Sequence, residues 1–132
     1  MKKIMLSVLL VLALTSTGFA QAAEQKEPTQ FMQITTIESV IGGGLGRSKM
    51  IITKADGSQE EKEVNNLFSL GGISFKNIKE NESVILKTLK QYSDEGWKLV
   101  QVIPLTLSPG DNGSGIFMTR YLLSKPEEKK GF

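Results

Sequence analysis

The segment from Asn81 to Leu105 constrains this chain more than any other. Ile85, Leu89 and Tyr92 recur at i, i+4 and i+7, and Val84 and Leu86 widen the apolar stripe. Lys87, Lys90 and Gln91 take the opposite side. This period predicts an amphipathic helix over residues 82–95, with Asn81 as its N-cap and Glu82 in the first turn. Gly96 is placed to adopt the left-handed conformation that stops a helix, which folds Trp97 back on Tyr92. From residue 97 to 105 the period becomes two. Leu99, Gln101 and Ile103 alternate with Val100 and Val102, and Pro104 marks an edge or the end of pairing. A helix that runs through one glycine into a strand must lay its stripe on a sheet.

The remaining segments supply the other strands. Residues 31–41 are rich in Ile, Thr, Val and Phe, with Met32, Ile34 and Thr36 on one face and Phe31 and Ile37 on the other. Gly42-Gly43-Gly44-Leu45-Gly46 interrupts them, and residues 49–53 resume as the second arm of a hairpin. Asp56-Gly57 suits a second tight turn. Residues 59–64 read as a charged edge strand. Ser58-Gln59-Glu60-Glu61 also fits a capping box, so helix stays open for residues 59–68. Residues 65–80 carry Phe68, Leu70, Ile73, Phe75 and Ile78 without a clear period. A stretch this apolar is expected to pack over a sheet edge or under the helix, with the Phe68 to Ile78 segment covering part of the sheet face opposite the helix. Residues 107–115 form a turn-rich connection. Residues 116–124 return as a strand, with Ile116, Met118 and Leu122 on one side and Phe117, Tyr121 and Leu123 on the other. The expected fold is α+β: an antiparallel sheet of four or five strands with one main helix packed on one face.

The N-terminus reads as an address. Lys2 and Lys3 precede an apolar run over residues 4–14, and Ala20-Gln21-Ala22 matches a small-x-small cleavage pattern. The run is far shorter than the ~20 residues that span a bilayer. Residues 1–22 are therefore expected to be a secretory signal peptide, 23–30 a flexible leader, 31–125 a single α+β domain and 126–132 a charged tail. Cleavage after Ala20, Ala22 or Ala23 fits equally well. The expected location is periplasmic or extracellular, with no stable membrane span after signal removal.

Composition removes several chemistries. The chain has no Cys and no His, which excludes disulfides, thiolate or imidazole metal ligation and a Ser–His catalytic pair. With the two N-terminal lysines gone, basic and acidic side chains balance, so no electrostatic case for nucleic acid remains. Gly42 to Ser48 looks like a phosphate loop but lacks the Lys before Ser48 and leads into a strand rather than a helix. Asp56 to Glu61 and Asp111-Asn112-Gly113-Ser114 resemble pieces of calcium loops without the full ligand spacing. Ser114 sits between glycines, but no His exists to serve as its base. No cofactor and no metal are expected.

Glu95-Gly96-Trp97-Lys98-Leu99-Val100, preceded by Leu89 and followed by a Gly-rich connection and Ile116-Phe117-Met118-Thr119-Arg120-Tyr121, resembles a family of small bacterial domains of unknown function. In that family a helix ending in Glu-Gly-Trp runs into a strand, a hairpin and an aromatic-rich last strand. The resemblance covers about residues 84–125 and implies a compact α+β domain without bringing an activity. The candidate ligand or partner residues are Trp97, Glu95, Arg120, Tyr121 and Arg47. The expected role is a non-catalytic binding or protein-interaction module. The alternatives are a small enzyme using carboxylates, Lys or Tyr, with Glu95, Arg120 and Tyr121 as its groups, and a structural envelope component. The expected partner is a protein or a small molecule, and sheet edges or an uncovered face also allow a homodimer.

Overall fold

The computed structural model describes residues 29–41, 46–107 and 115–127. Among these described residues seven strands and one helix follow one another: β1 (Thr29–Ser39), β2 (Lys49–Thr53), β3 (Gln59–Glu63), β4 (Phe68–Ser69), β5 (Gly72–Ile73), α1 (Phe75–Asp94), β6 (Lys98–Leu107) and β7 (Ile116–Pro126). Five of the strands form one antiparallel sheet in the order β3-β2-β1-β7-β6, and β4 pairs with β5 in a separate small hairpin. The expected α+β class and single main helix are present. Gln59–Glu63 is a strand, at the charged edge of the sheet.

Period two decides what each strand shows to the helix. Directly opposed residues share a face. Ile34 pairs with Ile52 and Tyr121, Met32 with Leu123, and Thr36 with Met50 and Thr119. These residues turn toward α1. Ile34, Met50, Ile52 and Leu123 are almost fully buried there, with Met32, Val64 and Tyr92 completing the core. From the helix, Val84, Ile85 and Leu89 pack against that cluster as the stripe predicted. Leu86 does not. It is exposed, on the wall of a hollow between the helix and β6.

The helix starts seven residues earlier than the sequence reading placed it. Ser74 is the N-cap, and its hydroxyl accepts from the Asn77 backbone N–H at 3.3 Å. Asn81 lies inside the helix, 1% exposed. Its Oδ1 accepts from the Asn65 N–H at 2.7 Å, and its Nδ2 donates to the Asn65 carbonyl at 2.8 Å and to Glu38 Oε1 at 2.9 Å. The amide that looks like a cap in sequence thus satisfies the backbone of a distant segment. Asn77 Nδ2 donates to the Asn66 carbonyl at 2.8 Å, and Ser48 Oγ joins the Ser39 N–H to Asn66 Oδ1. A partly buried polar seam of this kind fixes register, since each group left unpaired there costs ~1–3 kcal/mol.

The Phe68 to Ile78 segment does not cover the far sheet face. Its second part is the start of α1, on the near face, and its first part is the β4–β5 hairpin. Leu70, Ile73 and Phe75 stand exposed, Leu70 at 92%. The Asn65 and Asn66 bonds to the helix hold this segment on the helix side. A second correction concerns β6. A register shift between Leu99 and Gln101 inserts one residue, so Leu99 and Val102 face the helix side while Gln101 and Ile103 face away. Strict alternation would put Leu99 and Gln101 together.

The C-terminus of α1 is built as the sequence indicates. Gly96 has φ +89°, its N–H donates to the Ser93 carbonyl at 3.0 Å, and the Trp97 N–H donates to the Tyr92 carbonyl at 2.9 Å. These are the two bonds of a Schellman stop. Lys90 pairs with Asp94 at 2.7 Å and offsets one of the two acids at this negative helix end. Gly96→Val should cost about 1–2 kcal/mol or more, the penalty for a left-handed L-residue. Urea unfolding is expected to show a lower midpoint with an unchanged slope. An unchanged midpoint would remove Gly96 from the helix stop.

Candidate functional site

The five candidate residues fall into separate places. Trp97 is half-buried and packs on the core cluster. Glu95 caps α1, is exposed, and accepts from Gln91 Nε2 at 3.3 Å. Tyr121 is half-buried on the helix side of β7, opposite Ile34. Its neighbour Arg120 points to the other face, between Thr35 and Ile103. Arg47 is exposed just ahead of β2. The group Glu95, Arg120 and Tyr121 is not assembled into one pocket, because consecutive strand residues point to opposite faces.

Glu95 and Trp97 do meet, in a cleft of about 380 Å³ bounded by the end of α1, the start of β1 and the β2–β3 turn. Tyr92, Met32, Lys54, Asp56 and Glu60 line it with them. Sequence reasoning passed over Tyr92 as a core residue and Glu60 as a solvated edge charge. The one available signal was the phase of β3, in which Glu60 and Lys62 lie opposite Ile52 and Met50 and so share the helix face. A second, more apolar hollow of about 570 Å³ lies between α1 and β6 and is lined by Leu86, Leu89, Trp97, Leu99 and Leu123.

The other side of the sheet has no helix laid over it among the described residues, although Thr35 in its middle is buried. One row across it runs Glu61, Ile51, Thr35, Arg120, Ile103, and the next runs Glu63, Lys49, Ile37, Met118, Leu105. Ile116 and Leu107 extend it at one end, and Phe31 stands at the other. Phe31, Leu105 and Leu107 are exposed, Leu107 at 67%. The charges at the β3 end are spoken for, since Lys49 pairs with Glu61 and lies 4.0 Å from Glu63. Arg120 makes no ion pair among the described residues. Arg120 is itself exposed, with Ile103, Met118 and Leu105 nearby on the same face.

Among the described residues no cluster of acidic side chains could hold a metal ion, and no helix is long and apolar enough to cross a membrane. No family model matches the chain, nor does any curated protein or solved structure.

Both tyrosines are held above their ordinary value. Burial raises Tyr92 first, with Glu60 and Glu95 adding to it, and burial followed by Glu38 raises Tyr121. A phenol whose folded value is raised favours folding while it stays protonated. That contribution is complete below the ordinary value of 10.0 and is lost as pH climbs through the raised folded values. The folded protein should therefore form less tyrosinate at pH 10.0 than the urea-unfolded chain, whose two phenols ionise near that value. Thermal stability should fall above it. Equal titration curves for folded and unfolded protein would contradict the burial of both rings.

Proposed function

We propose that this chain is an exported, non-catalytic interaction module whose working surface is the sheet face turned away from α1. The observation that carries the reading is Arg120, a cation without an ion-pair partner among the described residues, standing between Thr35 and Ile103 on an open face that also carries Ile37, Met118 and Leu105. The partner that fits is a protein surface with apolar side chains around a carboxylate. Such a contact desolvates the guanidinium opposite an acid and keeps the apolar residues out of water.

Export belongs to the same proposal and rests on the N-terminal pattern of residues 1–22. A chain without Cys is suited to an oxidising compartment, since no disulfide can misform. We also group the chain with the small bacterial domains that share the helix–Glu-Gly-Trp–strand junction, on the strength of Glu95-Gly96-Trp97 and its flanking elements. Edge pairing of β6 is the weaker route to a partner. Its irregularity at Leu99/Gln101 and Pro104, which lacks an N–H, both interrupt a ladder that another strand would have to join. A second copy turned face to face is the specific competitor, because Glu61 and Glu63 give the same face its own carboxylates.

Two measurements test this reading. N-terminal sequencing of the exported protein should begin after Ala20, Ala22 or Ala23, and an intact Met1 on most molecules would end the export assignment. The mature chain used as bait on envelope extracts should retain a protein that Arg120→Glu and Leu105→Glu both release. Each variant should keep its stability within about 0.5 kcal/mol, as exposed positions do. Sedimentation of the mature chain at tens of micromolar separates this from self-association, in which wild type alone would run as a dimer. Identical retention by wild type and both variants, with all three monomeric, would overturn the proposal.

A further inference from the structure

The β4–β5 hairpin is held at its base and bare at its tip. At the base the Leu67 N–H donates to the Ser39 carbonyl at 2.9 Å, and the Ser74 N–H donates to the Leu67 carbonyl at 2.9 Å. Phe68 pairs with Ile73 and Ser69 with Gly72, so Leu70 and Gly71 make a two-residue turn. Gly72 supports it with φ +101°, and Ser69 Oγ donates to the Gly72 carbonyl at 3.4 Å. Beyond the base the tip stands clear, since a Cβ placed on Gly71 or Gly72 would meet nothing within 4 Å. Leu70 is 92% exposed, Phe75 72% and Ile73 58%. Large apolar side chains gathered on such a projection forgo the free energy that burial would give them.

The charge beside the tip has one sign. Residues 64–79 contain no acidic side chain and two basic ones, Lys76 and Lys79, both exposed. Lys79 makes no ion pair among the described residues, and Lys76 lies 3.8 Å from Glu80 with both side chains in water. The acids that bound this stretch are engaged away from the tip. Glu63 lies 4.0 Å from Lys49, and Glu80 accepts from Asn65 Nδ2 at 2.9 Å. The first turn of α1, which begins at Phe75, holds no acidic residue to offset its positive pole. The apolar tip thus carries a basic collar in a chain whose charges otherwise balance. Its shape narrows what can cover it. A two-residue turn offers no pocket to an incoming side chain, and a rigid flat surface would meet little more than Leu70. A fluid layer closes around all three apolar side chains at once.

We propose that the β4–β5 hairpin seats on an anionic lipid bilayer. Leu70, Ile73 and Phe75 enter the boundary between headgroups and acyl chains, and Lys76 and Lys79 meet the lipid phosphates. Such a contact draws on buried apolar area and on attraction to anionic headgroups, and it is reversible when the insertion is this small. It rests on the surface and spans nothing. The 20 residues of α1 extend ~30 Å from the tip, which leaves Trp97, past the other end of the helix, outside the acyl region. The contact uses no residue of the sheet face turned away from α1, so it is independent of the interaction proposed for that face.

The mature chain is mixed with vesicles of phosphatidylglycerol and phosphatidylcholine in equal parts, and with vesicles of phosphatidylcholine alone, and bound protein is measured by co-sedimentation. Saturable binding to the anionic vesicles is expected, weaker by about tenfold or more on the neutral ones and weakened by added salt. Leu70→Glu should weaken it about tenfold or more, and Lys76→Gln with Lys79→Gln by about tenfold. All three positions are exposed, and an unchanged urea midpoint confirms that each variant is folded. Trp97 is the sole tryptophan of the chain, so Leu70→Trp adds one reporter at the tip. The added indole should shift to the blue on anionic vesicles and be quenched by nitroxides on the acyl chains, while Trp97 in the wild type is not quenched. Arg120→Glu should bind within about twofold of wild type, so this proposal and the sheet-face reading fail separately. No binding at ~1 mM lipid, equal binding to the two kinds of vesicle, equal binding by Leu70→Glu, or quenching of Trp97 in place of the tip would overturn it. So would an envelope protein that wild type retains and Leu70→Glu releases while vesicles are left unbound, which would make a protein groove the occupant.

Discussion

One helix cannot cover a five-stranded sheet, and the consequences of that mismatch run through the whole molecule. Five strands at ~4.8 Å spacing make a layer ~19 Å wide from first to last axis, while a helix with its side chains is ~10 Å across. Helix α1 therefore buries the centre of one face, where Met32, Ile34, Met50, Ile52 and Leu123 form the core. Everything outside that footprint stays partly wet. On the near face this opens the apolar hollow between α1 and β6, with Leu86 and Leu99 on its walls. On the far face it leaves Ile103, Leu105 and Met118 without a layer above them among the described residues. Among the described residues no second helix covers that apolar surface.

The helix is positioned by different physics at its two ends. Near its beginning, Asn81 reads the backbone of Asn65 through both donor and acceptor and reaches Glu38 on β1. At its end, Gly96 takes a conformation that L-residues avoid, which turns the chain within two residues and sets Trp97 against the core. Hydrogen bonds fix rotation and register at one end, and a backbone dihedral fixes direction at the other. Between these anchors the apolar stripe supplies most of the free energy but little of the specificity. The cleft that holds Glu95, Trp97 and Tyr92 is a by-product of the second anchor. Stopping the helix there leaves its negative pole and two aromatic rings beside the β2–β3 turn.

Charge is distributed to match. The β3 edge carries Glu60, Glu61, Lys62 and Glu63 and is internally paired through Lys49 and Lys54. Such an edge resists further strand addition. The β6 edge is apolar and relies instead on its irregular register and Pro104. With both edges blunted, the far face and the helix-side cleft remain, and they differ in charge. The far face carries Arg120, which makes no ion pair among the described residues, and the cleft carries more carboxylates than ammonium groups beside aromatic rings.

Local chemistry alone settled a good deal. The 3.6-residue period of Ile85, Leu89 and Tyr92, the glycine at 96, the Asp56-Gly57 turn and the two faces of β1 and β7 all follow from near neighbours in the chain. Backbone sterics and side-chain periodicity act over a few residues and are therefore written in the sequence. The start of α1 is different. Ser74 and Asn81 are both plausible caps by type, and only the presence of Asn65 beside Asn81 decides that Asn81 belongs inside. The extra residue in β6 is likewise set by pairing with β7, since a bulge is a property of two strands and not of one. The exposed state of Leu70, Ile73 and Phe75, the separation of Arg120 from Tyr121, and the meeting of Glu60 with Glu95 across thirty-five positions depend on how distant segments are brought together. Those contacts come from long-range packing, whose outcome no local pattern encodes.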